Sequence, residues 1–273
     1  MTTQPDQYAV MGNPIAHSLS PRIHALFAAQ TGQNLEYRAI LVELGGFAAA
    51  ARDFRTAGGR GLNVTVPFKQ DAWVFADLLS VRAERAGAAN TLVFEPTGVL
   101  GDNTDGAGLV RDLTVNHGCP LAGKRILLLG AGGAARGVLQ PLLGEKPAQL
   151  VVANRTASKA WELALRFSDL GAVSGCGFAE LAGQRFDLIV NATAAGLENA
   201  VPSLPEGVLA PDGWCYDLMY GSGPTAFVRW SQDRGATLSL DGLGMLVEQA
   251  AESFHLWRGV WPETRPVIAA LRG

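Results

Sequence analysis

The stretch Arg125-Ile-Leu-Leu-Leu-Gly-Ala-Gly-Gly-Ala-Ala-Arg136 decides the fold of this 273-residue chain. Its four apolar residues read as a strand covered on both faces, as strands of a parallel sheet are. Gly130, Gly132 and Ala135 then fit the pattern G-x-G-x-x-[G/A], in which a tight turn opens a helix. Gly130 makes the turn, Gly132 admits a pyrophosphate with no Cβ in its way, and Ala135 lets the helix lie close on the sheet. The unpaired N–H groups and positive dipole end of the helix start face the phosphates. A glycine fingerprint alone also fits an ordinary strand-to-helix turn. Here a second strand, Leu150-Val-Val-Ala153, follows, and the whole reads as a dinucleotide-binding βαβ unit.

The end of that second strand selects the cofactor. An NAD site needs a carboxylate there to hold the ribose 2′-hydroxyl. This chain has Asn154-Arg155-Thr156, with Lys159 a turn further on. Arg155 and Lys159 suit a 2′-phosphate that a carboxylate would repel, while Thr156 is placed to cap the helix and donate a hydroxyl. The expected cofactor is therefore NADP. The competing reading is a surface Arg and Lys with no ligand.

Downstream, strands are expected over 188–191, 214–218 and 237–240, then a long amphipathic helix from 243 to about 257 and a short one over 267–271. Upstream, strands are expected over 8–11, 36–42 and 61–66, with a hairpin-like pair, 89–94 and 99–103, around Pro96-Thr97-Gly98. Ser20 reads as an N-cap with Pro21 at the first helical position, opening a helix to about 30. Helices are also expected over 47–57, over 70–86 as one stretch, and from a Thr104 or Asp105 cap to about 117. Strand–helix alternation predicts α/β architecture with parallel sheets. Two domains are expected: an N-terminal α/β substrate domain, 1–105 plus 243–273, and a Rossmann-type NADP-binding domain, 106–242. A cleft would lie between them, with hinges at the crossings near Asp105 and Gly242.

Composition narrows the function classes. A net charge of −3 with no basic tract gives no sign of nucleic acid or a membrane surface. The N-terminus lacks the pattern of a signal peptide, and the apolar runs are of strand length. Cys119, Cys176 and Cys215 read as free thiols of a cytoplasmic protein, and His24, His117 and His255 show no metal-ligand spacing, so no metal is expected. A small-molecule substrate is the expected partner, and a homodimer is compatible with this composition.

Three polar clusters in the first segment resist a packing explanation. Ser18 and Ser20 stand two apart before a helix; Ser20 suffices as a cap, which leaves Ser18 without that duty. Asn63 and Thr65 share one face of a strand that Pro67 ends, and Lys69 follows at its carboxyl end, where ligands of open parallel sheets gather. Asn90-Thr91 and Gly101-Asp-Asn-Thr-Asp105-Gly106 form the third. A lysine after a strand is by itself a solvated charge, but an Asn/Thr-lined face and a helix-start Asp argue for chemistry. His17, among turn residues, reads as a structural hydrogen-bonding group.

These residues carry a resemblance. The chain resembles the shikimate dehydrogenases over nearly its full length, through GNPIAHSLSP (12–21), NVTVPFK (63–69), AANTL (88–92), GDNTDG (101–106), GAGGAAR (130–136), NRT (154–156), YDLMY (216–220) and DGLGMLVEQA (241–250). The resemblance implies reversible NADP-linked oxidation of shikimate to 3-dehydroshikimate, on the way to chorismate and the aromatic amino acids. It implies Lys69 and Asp105 as the catalytic pair, with Ser18, Ser20, Thr65, Asn90, Tyr220 and Gln249 on the substrate. It assigns Gly130, Ala131, Gly132, Gly133, Ala134, Asn154, Arg155, Thr156, Lys159, Leu218 and Gly242 to the cofactor. Thr193, after a strand of the cofactor domain, is expected near the nicotinamide ribose. In this scheme Lys69 takes the C3 hydroxyl proton as hydride leaves C3, Asp105 orients both, and the two serine hydroxyls hold the carboxylate.

Three positions depart from the family pattern. Leu19 stands between the serines where relatives often have lysine, Ala194 and Ala195 replace frequent serines, and Val81 stands where some have a carboxylate. One alternative is a quinate/shikimate paralogue with broader substrate or NAD use, against which Asn154-Arg155 argues. Another is a non-catalytic NADP-binding module, against which the intact Lys69 and Asp105 argue.

Overall fold

A computed structural model describes residues 4–193 and 200–273. The chain divides into two compact units, Met1–Gly108 with Leu246–Gly273, and Leu109–Met245.

The first unit contains β1 (Asp6–Gly12), α1 (Ser20–Thr31), β2 (Leu35–Leu41), α2 (Phe47–Thr56), β3 (Gly59–Val64), α3 (Lys69–Phe75), β4 (Leu78–Leu79), α4 (Val81–Ala86), β5 (Thr91–Glu95) and β6 (Gly98–Asp102). Its six-stranded sheet has the order β2-β1-β3-β5-β6-β4. The hairpin expected around Pro96-Thr97-Gly98 makes this sheet mixed: β5 runs antiparallel to both β3 and β6, because a connection too short for a crossover joins β5 to β6. One face of β1 and β3 (Ala9, Met11, Leu62, Val64) packs on Phe47, Ala51 and Phe54 of α2 and on Ala72 of α3. Ile23 and Phe27 of α1 pack with Val247, Ala250 and Phe254.

The expected single helix over 70–86 is broken. Ala76 turns extended (ψ 138°), and Asp77 N–H and Ser80 N–H donate to Val99 and Gly101, so Leu78–Leu79 joins the sheet edge beside β6. Ser80 then caps α4, its hydroxyl accepting from Ala83 N–H at 3.2 Å. Ser20 is likewise not a cap but the first residue of α1. The Ser18 hydroxyl accepts from Ser20 N–H at 3.3 Å, so Ser18 has a local duty after all.

The second unit contains β7 (Arg125–Leu129), α6 (Gly133–Gly144), β8 (Gln149–Asn154), α7 (Ala157–Arg166), β9 (Val173–Gly177), β10 (Phe186–Asn191), β11 (Leu209–Asp217), α8 (Ala226–Asp233) and β12 (Leu238–Leu240). All its strands are parallel, in the order β12-β11-β10-β7-β8-β9. Successive side chains of β7 serve opposite cores, Ile126 and Leu128 facing α6 and α7, Leu127 and Leu129 facing α8. Such two-sided cover is why 125–129 reads as an unbroken apolar run. β9 has no such run (Val-Ser-Gly-Cys-Gly) and escaped the sequence reading.

The chain passes between the units within two helices, α5 (Asp105–Arg111), which continues as a π-helical turn over Asp112–Asn116, and α9 (Leu243–Arg258). A last helix, α10 (Thr264–Arg272), closes the chain, starting three residues before the expected 267. Among the described residues no helix is long and apolar enough to cross a membrane.

Candidate active site

Strand direction gathers the polar clusters of the first unit. The loops after β1, β3 and β6 leave from one edge of the sheet. β5 runs the other way, so Asn90, just before it, lies on that same edge. Asn13 N–H donates to Val66 C=O at 3.0 Å, tying the loop of Ser18 to the loop of Thr65 and Lys69. Gly12 is required at the tip of β1, since a Cβ there would collide with the Thr65 methyl.

Lys69 is the first residue of α3, and its Nζ lies 2.5 Å from Oδ2 of Asp105 at the start of α5. The lysine side chain is 22% exposed and the aspartate 9%, so the pair is sheltered with the amine within reach of a ligand. Asn90 donates from Nδ2 to the other Asp105 oxygen at 2.8 Å. Its orientation is unambiguous. Thr104 backbone N–H needs an acceptor and finds Asn90 Oδ1 at 2.8 Å, which turns the amide nitrogen toward Asp105. The Gln249 oxygen accepts from Asn90 at 3.1 Å and from the Thr104 hydroxyl at 3.3 Å. Lys69, Asp105, Asn90 and Gln249 thus form one hydrogen-bonded group.

Ser18, Ser20 and Thr65 occupy the same edge without a direct hydrogen bond to that group. Ser20 is buried, and Ser18 and Thr65 are half-buried. Leu19 packs into the apolar cluster of Ile23 and Phe27, which accounts for an apolar residue between the serines. His17 and Val81 are exposed, and Ala194 and Ala195 lie outside the described residues.

Beneath the group runs a second polar layer, of which the sequence marked only Asn63 and Thr91. Asn63 Nδ2 donates to the Ser253 hydroxyl at 2.9 Å and the Thr91 hydroxyl at 3.1 Å, while its oxygen accepts from the Tyr37 phenol at 2.8 Å. The Thr91 hydroxyl donates to Asn90 Oδ1 at 3.0 Å. Ser253 is signalled only by lying one helical turn after Gln249; Tyr37 carries no sequence signal. Beside this layer Arg82 grips Asp102 with two bonds of 2.7 Å and reaches Glu252 at 3.1 Å. Burial alone would raise the Asp102 carboxyl, but the guanidinium outweighs it and holds the group below the usual range. This clamp fixes the end of β6 from which Asp105 springs.

In the second unit the chain order reverses direction across the sheet between β7 and β10, the switch point where such sheets bind ligands. Gly130 has φ of +103°, and a Cβ on it would stand 2.9 Å from Ala192 C=O. A Cβ on Gly132 would meet nothing, so the backbone there is open to a ligand. Gly133 opens α6, Ala131 is half-buried, Ala134 is exposed, and no side chain caps the helix start. That uncapped terminus over an open glycine fits a pyrophosphate. Asn154 ends β8, its side chain donating to Thr156 C=O at 3.0 Å; Thr156 occupies the N-cap of α7 without the expected side-chain bond. Arg155 and Lys159 are exposed at this end.

Thr193 follows β10, where its hydroxyl donates to Asn191 Oδ1 at 2.7 Å. Gly242 is required where it stands, since a Cβ there would collide with Leu218 C=O. Tyr220 is half-buried, and burial pushes its phenol above the usual range, leaving it a neutral hydrogen-bond donor. Thr193, Leu218, Tyr220 and Gly242 therefore share the carboxyl edge of this sheet. The three cysteines are buried, and burial pushes the Cys119 thiol up to about 11 and Cys215 up to about 12, which makes them unreactive.

Residues 10–92 match the family model of the shikimate dehydrogenase substrate-binding domain, 113–199 that of shikimate/quinate 5-dehydrogenase, and 242–272 that of the shikimate 5′-dehydrogenase C-terminal domain. The chain is 61% identical to the shikimate dehydrogenase (NADP(+)) of Methylococcus capsulatus, over 98% of this chain and 97% of that protein. Among solved structures, the Ael1 enzyme of Pseudomonas putida superposes with a TM-score of 0.90 at 48% identity, covering 97% of this chain and 98% of that one. The shikimate 5-dehydrogenase of Thermus thermophilus, in complex with NADP(H) and shikimate, superposes with a TM-score of 0.87 at 35% identity, covering 98% of each chain.

Proposed function

The chain belongs to the shikimate dehydrogenase family, and on that footing we propose that it oxidises shikimate to 3-dehydroshikimate with NADP+, and catalyses the reverse reduction, in cytoplasmic aromatic amino acid biosynthesis. The observation that carries the chemistry is the sheltered Lys69–Asp105 pair, fixed by Asn90 at an edge rich in small polar side chains. NADP+, when bound, supplies a hydride acceptor at its nicotinamide C4.

In this reading Lys69 takes the proton that the C3 hydroxyl must lose as C3 becomes a carbonyl, and returns it in the reduction. Asp105 orients the amine and the hydroxyl. Asn90 holds Asp105 in register, and Gln249 and Thr65 bind further ring hydroxyls. Ser18 and Ser20 hold the carboxylate without a cationic clamp, and Tyr220 donates from its neutral phenol. Gly130 to Ala134 cradle the pyrophosphate, and Arg155, Lys159, Asn154 and Thr156 take the 2′-phosphate. Thr193, Leu218 and Gly242 line the nicotinamide end.

Initial rates with shikimate or quinate, each with NADP+ or NAD+, test this directly. Shikimate with NADP+ is expected to be the fastest pair. Faster turnover of quinate with NAD+ would overturn the assignment.

A further inference from the structure

The carboxylate of Asp217, in the YDLMY block, has no part in the scheme above, yet it is fully buried at the carboxyl end of β11. Its Oδ1 accepts from Asn191 Nδ2 at 3.0 Å and from Met219 N–H at 3.2 Å. Its Oδ2 accepts from the Thr225 hydroxyl at 2.6 Å. Thr225 oxygen itself accepts from Val228 N–H at 3.1 Å as the cap of α8, so its single proton is directed to the carboxylate. All three partners donate, which is how an ionised carboxylate is solvated inside a protein. Burial pushes this carboxyl upward, with the donors opposing it and the nearby Asp241 adding to the rise.

The carboxylate ties together the segments assigned to the nicotinamide end. Asn191, held by Asp217, accepts from the Thr193 N–H at 3.2 Å and from its hydroxyl at 2.7 Å. Leu218 N–H donates to Asn191 C=O, and Gly242 N–H to Met219 C=O, each at 2.9 Å. An apolar side chain in the interior of this knot would leave those donors unpaired. A neutral amide with its oxygen in the Oδ1 place would still accept from Asn191 and Met219 and would lose only the Thr225 tie, its NH2 facing that hydroxyl. Two of the three ties therefore need an acceptor oxygen but no charge.

We propose that Asp217 sets the redox preference of the cofactor site: its buried charge favours the oxidised nicotinamide, which is cationic, over the reduced ring, which is neutral. The two cofactor forms share the 2′-phosphate, the pyrophosphate and both riboses, so a fixed charge at the nicotinamide end is the term that separates them. In a poorly screened interior a unit charge acts over several ångströms. The inference rests on the placement of Thr193, Leu218 and Gly242 at the nicotinamide end.

The test is binding. Dissociation constants for NADP+, NADPH and adenosine 2′,5′-bisphosphate, which lacks the nicotinamide half, are measured by calorimetry on the unaltered protein, Asp217→Asn and Thr225→Ala. Asp217→Asn keeps the shape and the acceptor for Asn191 and Met219 while removing the charge. It is expected to weaken NADP+ about fivefold or more, with NADPH and the bisphosphate little changed. Thr225→Ala keeps the charge and drops one tie, so the NADP+ to NADPH ratio should stay at its original value. Equal weakening of NADP+ and NADPH by Asp217→Asn, no change in either, or a ratio moved as far by Thr225→Ala would overturn the inference. If the unaltered protein failed to bind the bisphosphate, the cofactor assignment itself would fall, and this inference with it.

Discussion

At the end of β8 the side chains of Arg155 and Lys159 stand exposed with no hydrogen-bond or ion-pair partner among the described residues. No structural salt bridge among the described residues uses them, and the proposed contact with a 2′-phosphate requires both to be unpaired. Arg155→Ala should therefore raise the KM for NADP+ about tenfold, the scale of one charge-assisted bond, and leave the KM for shikimate alone. An equal loss with NAD+, which has no 2′-phosphate, would contradict this. Asn90 makes a different kind of contribution. It sits between a backbone donor and the Asp105 carboxylate, so it acts through the position of that carboxylate. Asn90→Ala should lower kcat about tenfold, the order of one buried hydrogen bond to a charged group. Steady-state kinetics with unchanged kcat would remove Asn90 from the scheme.

Among the elements, β9 and α7 show how close approach replaces apolar periodicity. A Cβ on Gly175 would collide with the backbone of Ala160, so the strand and the helix meet through a position only glycine can fill. Gly175→Ala should cost roughly 1–3 kcal/mol of stability, read as a lower urea midpoint. An unshifted midpoint would mean that the helix yields without penalty. The same reasoning explains which elements the sequence disclosed. β7, α6 and β8 are contiguous, and turn, dipole and apolar run reinforce one another locally, so the dinucleotide unit was readable from residues 125–159. β4 was not, because Leu78–Leu79 becomes a strand only by pairing with Leu100 and Gly101 of β6, well beyond the reach of local sequence signals. Helical spacing on either side of it concealed the break. The direction of β5, by contrast, follows from the hairpin that Pro96-Thr97-Gly98 marks in the sequence, and without it Asn90 would not reach the edge that carries Lys69.

For the whole molecule, His24 couples stability to pH. It is fully buried, stacked on Tyr37 at 4.1 Å, and neither ring nitrogen has a hydrogen-bond partner. Burial, opposed in part by the Asn63 side chain beside it, lowers its pKa from 6.5 to about 3. Below pH 6.5 the unfolded chain binds a proton that the folded chain refuses, so stability falls as pH drops from 6.5 toward about 3. At pH 5 the loss is about 2 kcal/mol relative to pH 8. His24→Phe, which keeps a ring in the stack, should flatten that part of the profile in urea unfolding; a variant as acid-sensitive as its parent would exclude His24 as the cause. At this scale the site was legible as a set of residues but not as an arrangement. Lys69, Asp105 and Gln249 were named from their motifs, whereas Tyr37 and Ser253 reach Asn63 from distant parts of the chain and left no local trace. Motifs disclose groups that touch ligands, since those need particular chemistry at fixed spacing; the layer beneath is set by packing. The account as a whole depends on the Lys69 amine receiving a proton from the substrate alcohol. The most direct test is the steady-state oxidation of shikimate by Lys69→Ala with NADP+. The account predicts that kcat falls about 10²–10⁴-fold while the KM for shikimate stays within about threefold; a kcat within about threefold of the unaltered enzyme would contradict it.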